Sequence, residues 1–502
     1  MPNPTSPSTA EAAADRSFFG HPRGLSTLFF TEFWERFSYY GIRAILTVFM
    51  TTAAAAGGLG FSEVRAGAIY GLFTAGVYLL ALPGGWVADQ LLGQRRSVFV
   101  GGLFIALGNF LLYAPLLSTF YLGLLSIVIG TGLLKPNVST MVGELYPGTT
   151  AEDGARRDAA FSIFYMGINL GALIAPLVCS YVGERIDFHL GFLVAGIGML
   201  CGLVQYKLGG RKLGQAGLHP NAAGNPEAQR RAYLVLLGGS VGAVIIGYVL
   251  IGILRLTVET LAGAMGVVIV SLALLYLVLQ LVSPDLDRTE KKRMGVIFIL
   301  FLFSATFWSG FEQAGSSLTL FAQRLTDRHL FGWEMPVGYL QSVNPILIIA
   351  LAPVFAWLWV ALSKRKLEPS APAKFSLGLI LVGLGFGVMV WASILTRGQT
   401  HQVGLLWLNL TYLFHTCGEL CLSPVGLSTV TKLAPHRKVG QMMGIWFMSI
   451  ALGNLTAGLV AGQFATLPLP QLFGAVTAIT IGAGLILALL IKPIRRLMSG
   501  VH

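Results

Sequence analysis

The chain is poor in charge. Asp, Glu, Lys and Arg make up 11% of its 502 residues, whereas 55% of the residues are hydrophobic. A soluble domain needs roughly twice that share of charged residues, so the composition excludes a soluble enzyme. Apolar segments recur along the whole chain, and each approaches the ~20 residues that a helix needs to cross a bilayer. The sequence therefore indicates an all-α, polytopic membrane protein.

Cysteine is also scarce. The four cysteines, Cys179, Cys201, Cys417 and Cys421, all lie in apolar segments, and their spacing fits neither a disulfide framework nor a metal site. We therefore expect no metal, no cofactor and no catalytic residues. Residues 1–20 lack a hydrophobic core and include acidic residues, which favours a cytoplasmic tail over a signal peptide.

The basic residues that are present lie in alternate loops. The formal net charge of +12 does not require a nucleic-acid partner, because this placement follows the positive-inside rule. On that rule the basic loops and both termini are cytoplasmic. The clusters contain Arg95, Arg96, Arg156, Arg157, Lys207, Arg211, Lys212, Arg230, Arg231, Lys291, Lys292, Arg293, Lys364, Arg365, Lys366, Arg437, Lys438, Lys492, Arg495 and Arg496.

The apolar pattern predicts fourteen membrane spans. Their predicted bounds are 25–55, 62–91, 96–117, 119–146, 157–184, 188–208, 230–254, 257–283, 290–325, 335–363, 374–397, 402–433, 438–466 and 469–495. Spans seven and eight carry few charges and no polar stripe, so we interpret them as a peripheral insert. The remaining six plus six spans have the layout of a two-bundle transporter. The predicted domains are a cytoplasmic tail at 1–24, a bundle at 25–208, a linker with the insert at 209–287, a second bundle at 288–496 and a tail at 497–502.

The first span carries the strongest polar signal. At helical spacing, one stripe roughly 140° wide contains Glu32, Glu35, Arg36, Tyr39, Tyr40 and Arg43. One charge at the centre of a lipid-facing helix costs about 2.5–3.5 kcal/mol, and pairing of Glu32 with Arg36 at i, i+4 lowers that cost without removing it. We therefore predict that the stripe faces a polar cavity inside a helix bundle. The alternative is a structural ion-pair seam between helices.

Other spans also carry polar groups at membrane depth. Lys135 is the expected partner of Glu32 or Glu35, and Pro136 beside it should kink the helix. Asn169 can face either a ligand or a neighbouring backbone. The remaining candidates are Trp308 and Glu312 one turn apart, Gln341, Asn344, Glu419, and Trp446, which either caps a cavity or packs.

The loop after the second span resembles a signature of the major facilitator superfamily. It reads Gly85-Trp-Val-Ala-Asp89-Gln-Leu-Leu-Gly93-Gln-Arg95-Arg96. Gly85 would permit close helix contact and Gly93 a turn. We expect Asp89, Arg95 and Arg96 to form an ion-pair latch on the cytoplasmic side.

Three motifs together resemble those of the proton-dependent oligopeptide transporters, the POT or PTR family. They are Glu32-x-x-Glu35-Arg36-Phe37-x-Tyr39-Tyr40-Gly41, Phe164-Tyr-Met-Gly-Ile-Asn169-Leu-Gly171 and Gly418-Glu419-x-x-x-Ser423-Pro424. The resemblance covers about 25–495 and includes the two extra helices of bacterial members. It implies a major facilitator fold of twelve core helices in two bundles, located in the bacterial inner membrane. We expect a monomer surrounded by the lipid bilayer.

The resemblance also implies a role for each candidate residue. Arg43 and Lys135 would hold the carboxylate of a peptide, and Asn169, Asn344 and Glu419 would meet its amino end. Tyr39, Tyr40, Tyr78, Trp308, Gln341 and Trp446 would line the pocket. Proton coupling and gating would fall to Glu32, Glu35, Arg36 and Glu312.

These roles suggest a mechanism, stated here as a hypothesis. Deprotonated Glu312 pairs with Arg43, and protonation of Glu312 frees Arg43 to bind the substrate carboxylate with its planar fork. The two bundles then rock, so that the site opens to one side at a time. The chain has no histidine between His21 and His189, where some animal members carry one, so carboxylates must handle the protons.

Two alternatives to the import of di- and tripeptides stay open. A proton-coupled carrier of nitrate, a drug or an amino acid would have the same fold. A channel or an intramembrane enzyme is a weaker alternative, for which His415 with Cys417 or Cys421 is the candidate group. His415 is otherwise interpreted as a hydrogen-bonded packing residue.

Overall fold

The computed structural model describes residues 15–146, 151–220, 225–435 and 438–498. Four parts of the predictions lie outside these ranges. They are residues 1–14 of the first predicted tail, residues 499–502 of the second, part of the linker, and Arg437. The described chain is almost entirely helical. The long helices are α1 (Arg23–Thr51), α2 (Glu63–Leu92), α3 (Gln94–Tyr113), α4 (Leu117–Glu144), α5 (Ala151–Arg185), α6 (Phe188–Leu213), α7 (Pro226–Ile253), α8 (Val258–Val282), α9 (Arg288–Leu325), α10 (Val337–Lys364), α11 (Ala371–Leu395), α12 (Leu406–Leu433), α13 (Val439–Ala461) and α14 (Leu469–Leu497).

The fourteen predicted spans are confirmed as fourteen long helices in the described residues. Twelve of them are long and apolar enough to cross a membrane. The other two, α1 and α12, have 29 and 28 residues, and they are less apolar because they carry the polar residues singled out above. The loops add only short strands: Thr326 pairs with Val403 in parallel, and His329 pairs with Glu334 antiparallel.

The chain divides into two compact units. Unit 1 contains Met1–Ile45 and Gly76–Thr257, and unit 2 contains Leu46–Ala75 and Val258–His502. Helices α1 and α2 therefore contribute residues to both units. The core of unit 1 includes Leu28, Val138 and Met199, which come from α1, α4 and α6. The predicted bundle bounds at 25–208 and 288–496 stay a prediction.

Glycines allow helices of unit 1 to touch through their backbones. A Cβ on Gly84 of α2 would lie 2.1 Å from the carbonyl oxygen of Gly132 in α4, so only glycine fits there. A Cβ on Gly85 would meet its nearest neighbour at 3.9 Å, which is an ordinary contact. The prediction that Gly85 makes the close contact is therefore wrong by one residue. Gly93 has a φ of 75°, as its turn requires.

Unit 2 contains a similar crossing between α2 and α13. A Cβ on Gly67 would lie 2.3 Å from the Gly458 oxygen, and a Cβ on Gly458 would lie 2.3 Å from the Gly67 oxygen. Glu63, in the first turn of α2, pairs with Arg324 of α9 at 2.6 Å. The first half of α2 is thus held to unit 2 by backbone contact and by an ion pair.

The insert helices expose their apolar surfaces. None of the most apolar stretch of α7 is buried, and only 11% of that of α8 is buried. Tyr276 of α8 donates a hydrogen bond of 2.5 Å to Gln441 of α13, and Gln280 accepts one from Lys438. An apolar surface of this kind fits contact with lipid tails.

The ninth span is interrupted, which its apolar pattern did not predict. The α-helix stops at Phe311, Glu312–Gly315 form a short 3₁₀ turn, and the α-helix resumes at Ser317. Irregular backbone at membrane depth needs polar partners. Thr47 donates to the Gly315 carbonyl at 2.6 Å, and Thr319 donates to the Ala314 carbonyl at 2.8 Å.

The glycine crossing in unit 2 can be tested by adding one methyl group. Gly458→Ala should lower the stability of the full chain by about 1–3 kcal/mol, because the two backbones must separate. Thermal unfolding in detergent would measure the change. Gly482→Ala is the matched control, since a Cβ there meets nothing within 4 Å, and it should be neutral or slightly stabilising. Equal losses in both variants would contradict the role of the crossing.

Candidate functional site

An ion-pair cluster inside unit 1 forms around Arg36 of α1. Its guanidinium binds both oxygens of Glu35, one of them at 2.7 Å, and lies 3.2 Å from Oε1 of Glu32. The exposed fractions of Glu32, Glu35 and Arg36 are 2%, 0% and 4%. The pair at i, i+4 is present as predicted, but the adjacent Glu35 is the stronger partner because it binds at two points.

Glu32 keeps one oxygen uncommitted within this cluster. Its Oε2 is buried and accepts no hydrogen bond from any residue that the structure describes. Lys135 of α4 lies close enough to Glu32 to interact with it electrostatically. A buried carboxylate oxygen in this position is able to carry a proton.

Tyrosine rings lie beside the cations of unit 1. The guanidinium carbon of Arg36 lies 5.2 Å from the ring centre of Tyr39, and that of Arg43 lies 5.7 Å from that of Tyr40. The ammonium of Lys135 lies 4.1 Å from the ring centre of Tyr78, which the family resemblance implied as a pocket residue. Cation–π contact restrains each cation and leaves its charge in place.

Asn169 is buried in α5 and points partly toward its own helix. Its side-chain NH₂ donates to the Tyr165 carbonyl at 2.9 Å. Asn137, one turn from Leu133 in α4, makes the same kind of bond at 2.6 Å. In both cases the amide oxygen is the group that remains for another partner.

A second polar cluster lies in unit 2, where α10 meets α12. The side-chain NH₂ of Asn344 donates to Glu419 Oε2 at 3.0 Å and also contacts the Thr416 hydroxyl at 3.0 Å. Asn344 lies where a 3₁₀ turn, Val337–Ser342, passes into the α-helix. Thr416 was not among the residues predicted from the sequence. Its position three residues before Glu419, on the same helix face, was the available signal.

The remaining candidates of unit 2 lie on α9, α10 and α13. Glu312, 4% exposed, is the first residue of the 3₁₀ turn. Trp308 is 7% exposed, and its ring N–H has no acceptor within the described ranges. Gln341 lies 3.4 Å from the Thr319 hydroxyl. Trp446 packs edge-on against Phe375 at 6.1 Å.

The structure differs from the expected ion-pair latch of Asp89, Arg95 and Arg96. Within the part of the chain that is described, no ion pair joins Asp89 to Arg95 or Arg96, so that expectation is corrected. Arg95 instead donates at 2.6 Å to the carbonyls of Gly214 and Ala216, which follow α6. A planar guanidinium suits two neighbouring carbonyls. A latching role of these residues in gating stays a prediction.

His415 packs against aromatic rings. Its ring centre lies 4.9 Å from that of Phe386 and 6.4 Å from that of Phe311, and the residue is 1% exposed. Among the described residues, no group of three or more His, Cys, Asp and Glu side chains could hold a metal ion.

The two clusters have complementary chemistry. Unit 1 holds Arg43 and Lys135 against aromatic faces, whereas unit 2 holds the Glu419 carboxylate with an amide donor. A cation binds a carboxylate, and a carboxylate binds an ammonium group. Each cluster therefore has the charge needed to bind one end of a zwitterion.

Known proteins resemble the chain over nearly its full length. The sequence model of the POT family matches residues 95–478. The chain is 42% identical over 502 residues to the peptide transporter YePEPT of Yersinia enterocolitica, with 97% of each protein covered. It is 38% identical over 498 residues to a di-/tripeptide transporter of Lactococcus lactis, covering 97% of this chain and 99% of that one.

Solved structures of transporters also resemble this chain over nearly its full length. A crystal structure of a peptide transporter POT in complex with sulfate is 41% identical, with a TM-score of 0.91, and the match covers 99% of this chain and 100% of that one. A POT family transporter in complex with 5-aminolevulinic acid is 35% identical, with a TM-score of 0.89 and coverage of 97% and 99%.

The two carboxylates beside Arg36 should differ in their importance for stability. Glu35→Gln removes the partner that binds at two points and leaves a poorly compensated buried cation, at a cost of about 3–5 kcal/mol. Glu32→Gln should cost less, because Glu35 remains. Thermal unfolding of both purified variants would measure the difference. A loss in Glu32→Gln equal to or larger than that in Glu35→Gln would contradict the assignment.

Proposed function

Because the chain belongs to the POT family and is therefore a transporter rather than an enzyme, we propose that it imports di- and tripeptides together with protons. The observation that carries the proposal is the pair of complementary clusters, cationic in unit 1 and carboxylate-bearing in unit 2. The names of its relatives support a peptide as the substrate. No cofactor is needed in this scheme, since the proton is the coupling ion.

The peptide carboxylate is assigned to Arg43 and Lys135. The Tyr40 and Tyr78 rings restrain these cations, so less side-chain entropy is lost when the substrate binds. Arg43 can bind a carboxylate at two points, whereas Lys135 acts as a point charge. Tyr39, Trp308, Gln341 and Trp446 are proposed to line the pocket.

The peptide amino end is assigned to Glu419, Asn344 and Asn169. The hydrogen bond from Asn344 holds Glu419 Oε2, and the negative charge of this carboxylate would attract the ammonium group of the substrate. Asn169 would present its amide oxygen, because its NH₂ already donates within α5. A substrate without a charged amino end should therefore bind poorly.

Proton coupling is assigned to Glu312, and the cluster of Glu32, Glu35 and Arg36 is assigned to proton coupling and gating as a second group. Glu312 lies at the interruption of α9, so a change in its charge acts where the helix backbone is irregular. Protonation of Glu312 removes a negative charge and thereby favours binding of a carboxylate at Arg43. Alternating access of the site would then carry both solutes inward, aided by about 2.3 kcal/mol per charge per 100 mV of membrane potential.

The location follows from the same proposal. The chain is a multi-pass membrane protein, and we propose that it lies in the bacterial inner membrane as a monomer with both termini in the cytoplasm. The basic loops support this orientation.

The proton step is tested by removing one titratable oxygen. Glu312→Gln should abolish peptide uptake into proteoliposomes driven by an imposed inward proton gradient, because residue 312 can no longer change charge. Exchange of labelled for unlabelled dipeptide, which needs no net proton movement, should persist. Gradient-driven accumulation that survives in Glu312→Gln would refute the role. Loss of exchange as well would point to misfolding, which unfolding measurements detect.

Recognition of the amino end is tested with blocked substrates. The wild type should prefer a free dipeptide to its N-acetylated form by about tenfold or more, as expected for a desolvated charge pair. Glu419→Gln should lose most of that preference. The matched control is Glu227→Gln, which removes an exposed carboxylate at the start of α7. Nitrate and single amino acids serve as competitors, and stronger inhibition by either than by dipeptides would favour the alternative substrates.

A further inference from the structure

A polar cavity lies at one end of unit 2. None of the residues assigned above to peptide or proton binding lines it. Its volume is about 630 Å³ and it is partly open to the surroundings. It lies where the loop after α10 meets the start of α11 and the ends of α12 and α14. A cavity of this size holds a ligand group larger than a few water molecules.

Three cations line this cavity. Lys374 comes from the first turn of α11, Lys432 from the last turn of α12 and Arg495 from the last turn of α14. Lys374 is 7% exposed and binds Glu368 at 2.6 Å. This hydrogen bond holds the pKa of the Glu368 carboxyl below its usual range, so Glu368 neutralises one cation. Lys432 and Arg495 leave the cavity with an excess of positive charge.

The cavity wall also offers neutral donors. The N-terminus of α11 lies at the cavity through Ser370 and Ala371. The Ser370 side chain makes no capping hydrogen bond. Pro372 has no N–H and the Lys374 N–H donates to the Ser370 carbonyl, so the first turn offers the N–H groups of Ala371 and Ala373 to other acceptors. Ser428 and Thr429 of α12, which carry hydroxyl groups, also line the cavity. Cations, hydroxyls and a helix N-terminus together match the acceptor oxygens of a phosphate group.

The positions of the three cations on their helices fit the depth of the lipid headgroups. All three cations belong to the first or last turn of membrane-spanning helices. Lys374 lies 4.5 Å from the ring centre of Trp359, and the neighbouring Trp357 is 68% exposed. Tryptophans at helix ends are typical of the membrane–water interface.

From this arrangement we propose that the cavity binds a phosphate group, carried either by the headgroup of an anionic lipid or by a soluble phosphate. Basic pockets between helices at the membrane surface suit phospholipid headgroups. The proposal concerns binding only. It does not depend on the peptide or proton roles assigned above.

The test measures binding to the full chain in detergent. Native mass spectrometry would count molecules of dioleoyl phosphatidylglycerol retained by the protein, with dioleoyl phosphatidylcholine as the neutral lipid of equal chain length. Titration calorimetry with inorganic phosphate forms the soluble arm. If the protein retains the anionic lipid but phosphate gives no heat of binding, the site is one for a lipid headgroup. If phosphate gives a heat of binding, the site accepts a soluble anion. Either result supports the proposal if it depends on the cavity residues.

Matched variants test whether binding depends on the residues that line the cavity. Lys432→Gln combined with Arg495→Gln should weaken binding about tenfold or more, given the usual attraction of two cations near a membrane surface. Lys492→Gln combined with Arg496→Gln removes the same charge from the exposed end of α14, outside the cavity, and should have little effect. Equal weakening in both double variants would overturn the proposal. Absence of phosphate heat and of any preference for phosphatidylglycerol would also overturn it.

A second pair of variants changes the space in the cavity and leaves its charge unchanged. Ser428→Trp fills the cavity and should weaken binding as strongly as the loss of the two cations. Leu427→Trp changes the adjacent residue, which is 46% exposed and does not line the cavity, and should retain binding. Full binding by a folded Ser428→Trp protein would place the ligand elsewhere and refute the site.

Discussion

The ion pairs of Arg36 are the constraint on which unit 1 depends. A guanidinium at membrane depth cannot lose its proton, so its charge must be compensated wherever the helix lies. Glu35 compensates it at two points and Glu32 at a third. Glu32 keeps one oxygen that accepts no hydrogen bond from any described residue. The cluster therefore compensates the charge of Arg36 and also contains a carboxylate oxygen that is able to take up a proton.

The same physical requirement shapes unit 2 in another way. Interrupting α9 at Glu312 releases backbone carbonyls from the helical ladder, and in an apolar surrounding each needs a donor. Threonine hydroxyls supply two of these donors, one from Thr47 and one from Thr319. Thr47 belongs to the end of α1 that lies in unit 2. The irregular turn that presents Glu312 is thus supported by one side chain nearby in the chain and by one from a distant helix.

Close backbone contact is the second organising feature. Without a hydrophobic drive between helices in lipid, their association depends on tight packing, and the crossings at Gly84–Gly132 and at Gly67–Gly458 leave no room for a Cβ. Such contacts fix α2 within each unit to which it contributes. The cationic cavity at the end of unit 2 shows that charged side chains also cluster near the ends of the long helices.

The sequence by itself determined the number of helices, the family and the polar residues of α1, because membrane length, the cost of charge and short motifs are local properties. It could not choose Glu35 over Glu32 as the main partner of Arg36, since both spacings allow contact. It also misplaced the close contact at Gly85 and the partners of Arg95. Only the tertiary structure decided these points, together with the interruption at Glu312 and the role of Thr416. The last four of these points depend on which residue of a distant segment lies opposite, and helical periodicity contains no information about that.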